Sequence, residues 1–184
     1  GGVASPIGRP GGTLEKCRQV EPPRAPGIQC RLRAARQRLG IPEGAFFIGV
    51  IGGSLGSLML NNAVSEFVKE CKDDSQMALR HVVGPRVMKS YVNPVAHSEV
   101  AMTYQVVAYE ENMADIYASV DLLIGRGGAG TIADVAATGV PAILIPWKGA
   151  ADDHQTANVR YLSENGAAIL LAEENVAIDL QKII

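Results

Sequence analysis

Two glycine-rich stretches hold the residues best suited to chemistry at a phosphate. "GGSLGS" (residues 52–57) and "GRGGAGT" (residues 125–131) each follow a short apolar run and lead into a segment with helical spacing. Glycine lets the main chain come close to a ligand, and the first turn of a helix offers free N–H groups at the positive end of its dipole. Each stretch therefore reads as a backbone cradle for an anion, and two cradles on one sheet edge are a more specific signal than one. Neither is a dinucleotide fingerprint or a P-loop with its Lys, and no acid closes the following strand "ALRHVV" to hold an adenosine ribose. Taken alone, the first loop reads equally well as a turn that packs a helix on a sheet.

Other polar residues cluster near the same places. Thr131 and Asp134 stand three apart, the spacing of a helix capping box, so Asp134 has two readings: a structural cap, or a carboxylate in the first helical turn that accepts hydrogen bonds from ribose hydroxyls. In "KGAADDHQTANVRYL", Asp152 or Asp153 is placed to cap a helix whose start carries Gln155 and Asn158, amides that both donate and accept and so suit sugar hydroxyls. An ordinary polar helix face is the competing account. His154 has no partnered nucleophile in the sequence and reads as a surface or capping residue. Met113, closing "AYEENM", is a polarizable side chain that suits either a flat base or a core gap. His81, His97, Tyr104, Tyr109 and Tyr117 show no recurrent pattern and receive no role.

The elements that must position these residues follow from periodicity. Residues 29–39 are basic and helical and end at Gly40 and Pro42; "FFIGVI" (46–51) is a buried-strand run; Leu60, Val64, Phe67 and Val68 mark an amphipathic helix over 58–71. The alternation continues through strands "ALRHVV", "YQVVA", "DLLIG", "AILIP" and "AAILL", with helices near 112–118, 131–138 and 153–164. This pattern predicts an α/β fold, a Rossmann-like parallel sheet with helices on both faces. Ligands in such sheets bind beyond the C-terminal strand ends, so the loops of interest are 52–57, 109–113, 125–131 and 146–154.

Composition bounds the partners. The 184 residues are 47% hydrophobic, enough for one α/β core. A formal charge of -2 supplies no polycation for nucleic acid. Cys17, Cys30 and Cys71 are odd in number and lack zinc-site spacing, which suits reduced thiols in the cytoplasm. No apolar run approaches the roughly 20 residues of a spanning helix. "GGVASPIGRPGG" reads as a linker or interdomain remnant over residues 1–28, and "AIDLQKII" stops in a helical pattern, so residues 29–184 are expected to be one domain with truncated C-terminal helices.

The ordered set "GGSLGS", "AYEENM", "GRGGAGTIADVAATGVPAILIPW" and "DHQTAN" resembles the C-terminal donor-binding domain of MurG-type UDP-N-acetylglucosamine transferases, glycosyltransferase family 28, over roughly residues 40–184. That resemblance implies one half of a GT-B glycosyltransferase. It implies that Gly53 and Ser54 contact phosphate, that main chain around Glu110 reads uracil with Met113 packed beside it, and that Asp134 is the ribose ligand. By the same resemblance Ala129, Gly130 and Thr131 line the sugar and phosphate side, and Gln155 and Asn158 hold the N-acetylglucosamine hydroxyls. Three departures stand out: Asp134 replaces a usual Glu, Gly130 replaces a usual apolar side chain and loosens the sugar pocket, and "SPIGR" only loosely matches the turn that would make Arg9 a phosphate ligand.

The resemblance further implies an inverting enzyme that moves N-acetylglucosamine from its UDP donor to lipid I, forming lipid II for peptidoglycan at the inner face of the plasma membrane. The lipid-linked acceptor, the membrane contact and the general base belong to an N-terminal domain, so no catalytic residue, metal or cofactor is assigned here, and this chain alone is expected to be catalytically incomplete. Rival readings are the donor domain of another UDP-hexose lipid glycosyltransferase and a non-catalytic donor-binding subunit that needs a partner chain. A plain NAD-binding module is disfavoured by the glycine spacing.

Overall fold

The computed structural model describes residues 26–149 and 153–184; Arg9, Cys17, Asp152 and the expected linker up to residue 25 lie outside them. In chain order the elements are α1 (Pro26–Leu39), β1 (Phe46–Ile51), α2 (Leu58–Cys71), β2 (Met77–Val82), the single turn α3 (Pro85–Met88), β3 (Thr103–Val107) and α4 (Met113–Ser119). There follow β4 (Leu122–Arg126), α5 (Ala129–Thr138), β5 (Ala142–Ile145), α6 (His154–Glu164), β6 (Ile169–Leu170), a 3-10 turn (Glu173–Asn175) and α7 (Val176–Ile183). Helix α1 opens at Pro26, three residues earlier than its periodicity predicts, because proline's fixed φ suits a first helical turn. The last strand is shorter than "AAILL" suggests, since only Ile169 and Leu170 find partners, in Ile143 and Leu144.

The six strands lie in the order β3-β2-β1-β4-β5-β6, and every neighbouring pair is parallel. From β1 the chain winds outward through β2 and β3, then returns to place β4 on the other side of β1. The connections therefore diverge between β1 and β4, where Ile51 pairs with Gly125. Such a switch point opens a crevice at the C-terminal strand ends, and both glycine-rich loops leave the sheet there.

Each face of the sheet has its own apolar layer. Ile48, Val50, Leu79 and Ile124 pack with Leu60, Val64, Phe67 and Val68 of α2 and with Val176 and Leu180 of α7. The terminal helical pattern is thus a helix folded back onto α2. On the opposite face Phe47, Leu123 and Leu144 meet Leu39 of α1, Ile116 of α4, Val135 of α5, and Val159 and Leu162 of α6. Gly49 makes the second layer possible: a Cβ there would lie 2.9 Å from Val120 Cγ1 and 3.2 Å from Ile116 Cγ2, so any side chain would push α4 away from the sheet.

The basic character of α1 also finds its explanation inside the fold. Buried Arg36 donates from Nη1 to the Ala45 carbonyl at 2.8 Å, from Nε to the Ser119 carbonyl at 3.1 Å, and from Nη2 to Asp121 Oδ2 at 2.7 Å. Arg38 pairs with buried Asp115, donating from Nε to Oδ2 at 2.8 Å. This guanidinium holds the Asp115 carboxyl below the ordinary range, first through its hydrogen bond and then through its charge, against the effect of burial. Two arginines thus fasten α4 to α1, and α4 begins at the ligand edge. Cys30 is exposed and Cys71 half-buried, and no disulfide joins them.

Candidate functional site

The first loop leaves β1 as a tight turn. Gly53 and Gly56 have φ of 85° and 82°, a region that favours glycine, and the Gly56 N–H closes the turn on the Gly53 carbonyl at 3.1 Å. Ser54 stands exposed at its tip. Helix α2 does not begin with bare N–H groups, as the sequence suggests, because buried Ser57 is its N-cap and accepts from the Leu60 N–H at 3.4 Å. The cradle is therefore the loop main chain around Gly53 and Ser54, backed by a helix already capped.

The second loop differs. Strand β4 runs through Arg126, only Gly127 and Gly128 form the turn, and α5 starts at Ala129 with Gly128 as an N-cap that has no side chain to offer. Ala129, Gly130 and Thr131 are consequently the first three helical residues, whose N–H groups no helical carbonyl can satisfy. Ala129 and Gly130 are exposed, and Thr131 is half-buried with its Cγ2 near Gly125. All three predicted positions thus lie at an open helix N-terminus beside the switch point.

This start of α5 corrects two expectations about Asp134. With the N-cap at Gly128, Thr131 is the third helical residue and forms no capping box with Asp134. Asp134 is in the second turn, exposed, with its carboxylate near enough to the Tyr117 hydroxyl of α4 to act on it. Burial first, and then the nearby negative charge of Asp134, push the Tyr117 phenol well above its ordinary range. The carboxylate therefore faces α4 and does not cap α5.

Helix α6 closes the crevice. Gly127 sits under it: a Cβ there would collide with Val159 Cγ2 and approach the Gln155 carbonyl to 3.4 Å. Gln155 and Asn158 are both half-buried in this first stretch of helix. Gln155 Oε1 accepts the Trp147 N–H at 2.9 Å, which ties the β5 loop to α6. Asp153 is the N-cap, in the left-handed region at φ 52°, yet its side chain does not cap a main-chain N–H. It accepts the Thr156 hydroxyl at 2.6 Å instead, a correction to its expected capping role. His154 is exposed.

Beyond β3, Met113 is the first residue of α4 and half-buried against the second apolar layer, while Tyr109 is exposed. Glu110 is buried. Its carboxylate accepts Arg80 Nε at 2.5 Å and the Asn112 N–H at 3.1 Å, so its side chain is engaged inward and its main chain is the part that a ligand at the strand end can use. The structure thus brings the two glycine loops, the α5 start and the Gln155 region together around the β1/β4 crevice, with the 110–113 segment beyond β3 on the side of α4.

Sequence reasoning missed a charged group in that crevice. Arg126, at the end of β4, donates from Nη2 to Glu173 Oε1 at 2.8 Å, and Glu173 Oε2 also accepts the Lys148 N–H at 3.2 Å. Burial pushes the Glu173 carboxyl up, but the hydrogen bonds and charges of Arg126 and Lys148 together outweigh it and hold the group below the ordinary range. Arg126 Nη1 is buried and has no hydrogen-bond partner among the described residues. The Arg inside "GRGGAGT" was a visible signal; Glu173, 47 residues away, had none.

Known proteins resemble this chain in sequence and in fold. The family model described as "Glycosyltransferase family 28 C-terminal domain" matches residues 47–184. The "UDP-N-acetylglucosamine--N-acetylmuramyl-(pentapeptide) pyrophosphoryl-undecaprenol N-acetylglucosamine transferase" of Nitrosospira multiformis is 36% identical over 146 residues, covering 79% of this chain and 40% of the relative. The enzyme of the same name from Nitrosomonas europaea is 39% identical over 142 residues, covering 76% and 39%. The chain therefore spans about two-fifths of the length of these relatives. Among solved structures, Acinetobacter baumannii MurG superposes with a TM-score of 0.67 at 30% identity, covering 80% of this chain and 42% of that one. A Neisseria meningitidis UDP-GlcNAc 2-epimerase, at 12% identity and a TM-score of 0.55, shares the fold. With the matched family model spanning all six strands but the first residue of β1, the chain belongs to the glycosyltransferase family 28 C-terminal domain family.

Proposed function

We propose that this chain is the donor half of an inverting glycosyltransferase of the MurG type and binds UDP-N-acetylglucosamine. One observation carries the reading: two glycine-rich loops flank the β1/β4 switch point, and the second opens onto the α5 N-terminus with no side-chain cap. That arrangement suits a diphosphate. In this reading Gly53, Ser54 and the N–H groups of Ala129, Gly130 and Thr131 hold the diphosphate, main chain at Glu110 and the Met113 side chain take the uracil, and Asp134 takes the ribose. Gln155 and Asn158 hold the sugar, and Arg9 remains a further phosphate ligand to be tested.

In the reaction a hydroxyl of lipid I attacks the anomeric carbon, a new C–O bond forms with inversion, and the bond to the β-phosphate oxygen breaks with its electron pair leaving on UDP. The acceptor proton passes to a base outside this chain. The part performed here is electrostatic: N–H groups already aimed at the leaving diphosphate stabilise its growing charge without reorganising. The donor is a substrate, and no cofactor or metal enters the reading. The acceptor, the base and the peripheral contact with the cytoplasmic face of the membrane are assigned to the portion of the relatives that this chain does not span. No helix among the described residues is long and apolar enough to cross a membrane.

Calorimetric titration with UDP, UDP-N-acetylglucosamine, UDP-glucose and NAD tests the proposal. Expected are binding of UDP, tighter binding of UDP-N-acetylglucosamine than of UDP-glucose, and no binding of NAD. Equal affinity for the two sugars favours another UDP-hexose donor, a reading that the open space around Gly130 supports; a protein that binds NAD and ignores UDP sinks both.

A further inference from the structure

A chain of charged and polar side chains runs beneath the base side of the site. The Gln105 amide donates from Nε2 to the Leu39 carbonyl at the end of α1, at 2.9 Å, and its Oε1 accepts Arg80 Nη1 at 2.7 Å. Arg80 Nε then meets Glu110 Oε2 at 2.5 Å, and Glu110 Oε1 accepts the Asn112 N–H. From the other side the Asn112 amide donates to Asp115 Oδ2 at 2.7 Å, and Asp115 is gripped by Arg38. The segment between β3 and α4 is therefore pinned at residues 110 and 112 by two arginines reaching from β2 and α1. Arg80 stands in β2 opposite Gly49 of β1 and Gln105 of β3, on the face covered by α1 and α4.

The Arg80 and Glu110 side chains are only 18% and 6% exposed. A buried ion pair adds little net stability over well-packed apolar residues of the same volume, so stability alone does not account for one at this place. What the pair does supply is orientation. A guanidinium offers its donors in a rigid planar fork, and with one Glu110 oxygen on Arg80 and the other on the Asn112 N–H, the main chain at 110 has a single seating.

We infer that Arg80 is a positioning residue for base recognition: through Glu110 it fixes the peptide groups beyond β3 so that they accept uracil and refuse cytosine. The inference rests on the donor-site reading above. Uracil presents a donor at N3 and an acceptor at O4, whereas cytosine presents the reverse pattern. A main chain held in one seating matches only one of these, and a peptide free to turn over accommodates both.

The test is titration of UDP and CDP into the wild-type chain and its Arg80→Met, Arg80→Lys and Glu110→Gln variants, alongside thermal unfolding. For Arg80→Met the expected result is a loss of UDP affinity of about tenfold, the equivalent of one mis-set hydrogen bond, with a similar shrinkage of the UDP-over-CDP preference. Arg80→Lys keeps the charge and is expected to recover part of the preference. A lower melting temperature with an unchanged UDP-over-CDP ratio per folded molecule makes Arg80 a structural residue only and overturns the inference. Should Arg80→Met fail to fold, Glu110→Gln is judged by the same ratio: a reduced preference supports the positioning role, an unchanged one overturns it. A wild-type chain that binds neither nucleotide removes the donor-site reading itself, an outcome distinct from a wild type that prefers UDP beside a variant that prefers it equally.

Discussion

Gln155 Oε1 accepts the Trp147 N–H at 2.9 Å. The acceptor end of this amide is committed to the main chain of the β5 loop, which leaves its donor end as the group suited to a sugar hydroxyl. Gln155→Glu can keep the bond to Trp147 but has no N–H to donate. It is therefore expected to bind UDP like the wild type and UDP-N-acetylglucosamine about tenfold more weakly, since a buried sugar hydroxyl left without its donor costs about 1–3 kcal/mol. Parallel titrations of the two ligands read this directly, and an equal loss for both would assign Gln155 to the loop instead of the sugar.

Asp134 lies in the second turn of α5, near Tyr117 of α4. Because it caps nothing and is exposed, Asp134→Ala is expected to change folding stability by no more than about 0.5 kcal/mol. UDP affinity should fall about tenfold if the carboxylate receives ribose hydroxyls. Urea unfolding and UDP titration of the same variant separate the two effects; unchanged UDP affinity removes the ribose assignment.

His81, given no role from sequence, is buried in a polar network. Asn61 donates through Nδ2 to the Val83 carbonyl at 3.0 Å, so its Oδ1 must accept from His81 Nε2, also at 3.0 Å. The neutral ring then uses Nδ1 to accept the Tyr104 hydroxyl at 3.0 Å. Burial lowers the His81 pKa from 6.5 to about 4. The unfolded chain binds this proton more readily, so stability is greatest above pH 6.5 and declines as pH falls toward about 4. Between pH 8 and pH 5 the loss from this group comes to about 2 kcal/mol. Urea unfolding at both pH values should show a smaller decline for His81→Gln, and identical slopes would exclude His81 as the group responsible.

Two glycines near the site should respond oppositely to alanine. At Gly56, φ is 82° and a Cβ would collide with the Val83 carbonyl oxygen and lie 3.1 Å from Gly84 Cα, all main chain that cannot swing aside. Gly56→Ala is expected to destabilise by about 3 kcal/mol or more and to weaken UDP binding. A Cβ at Gly130 meets nothing within 4 Å, and alanine favours a helix, so Gly130→Ala should stabilise by up to about 1 kcal/mol. Thermal melts of both variants decide the matter; a destabilised Gly130→Ala contradicts the open surroundings described for it.

The sequence by itself determined the alternation of strands and helices, the two glycine loops and their order along the chain. These signals are local: apolar runs such as "FFIGVI", helical spacing from Leu60 to Val68, and glycines where the main chain turns. Local signals also placed a helix after the second loop, at residues 131–138, but it begins two residues earlier, at Ala129, with Gly128 and not Thr131 as its cap. What only the tertiary structure decided was which side chains meet. Arg80 and Glu110 are 30 residues apart and Arg126 and Glu173 are 47 apart, and nothing in either neighbourhood marks its partner. Those meetings follow from the crossovers that set β1 between β2 and β4 and bring β6 to the sheet edge. A charge in the sequence is free to find water, but one brought to the end of a parallel strand must find a partner in the protein, and the sheet order decides which partner stands within reach.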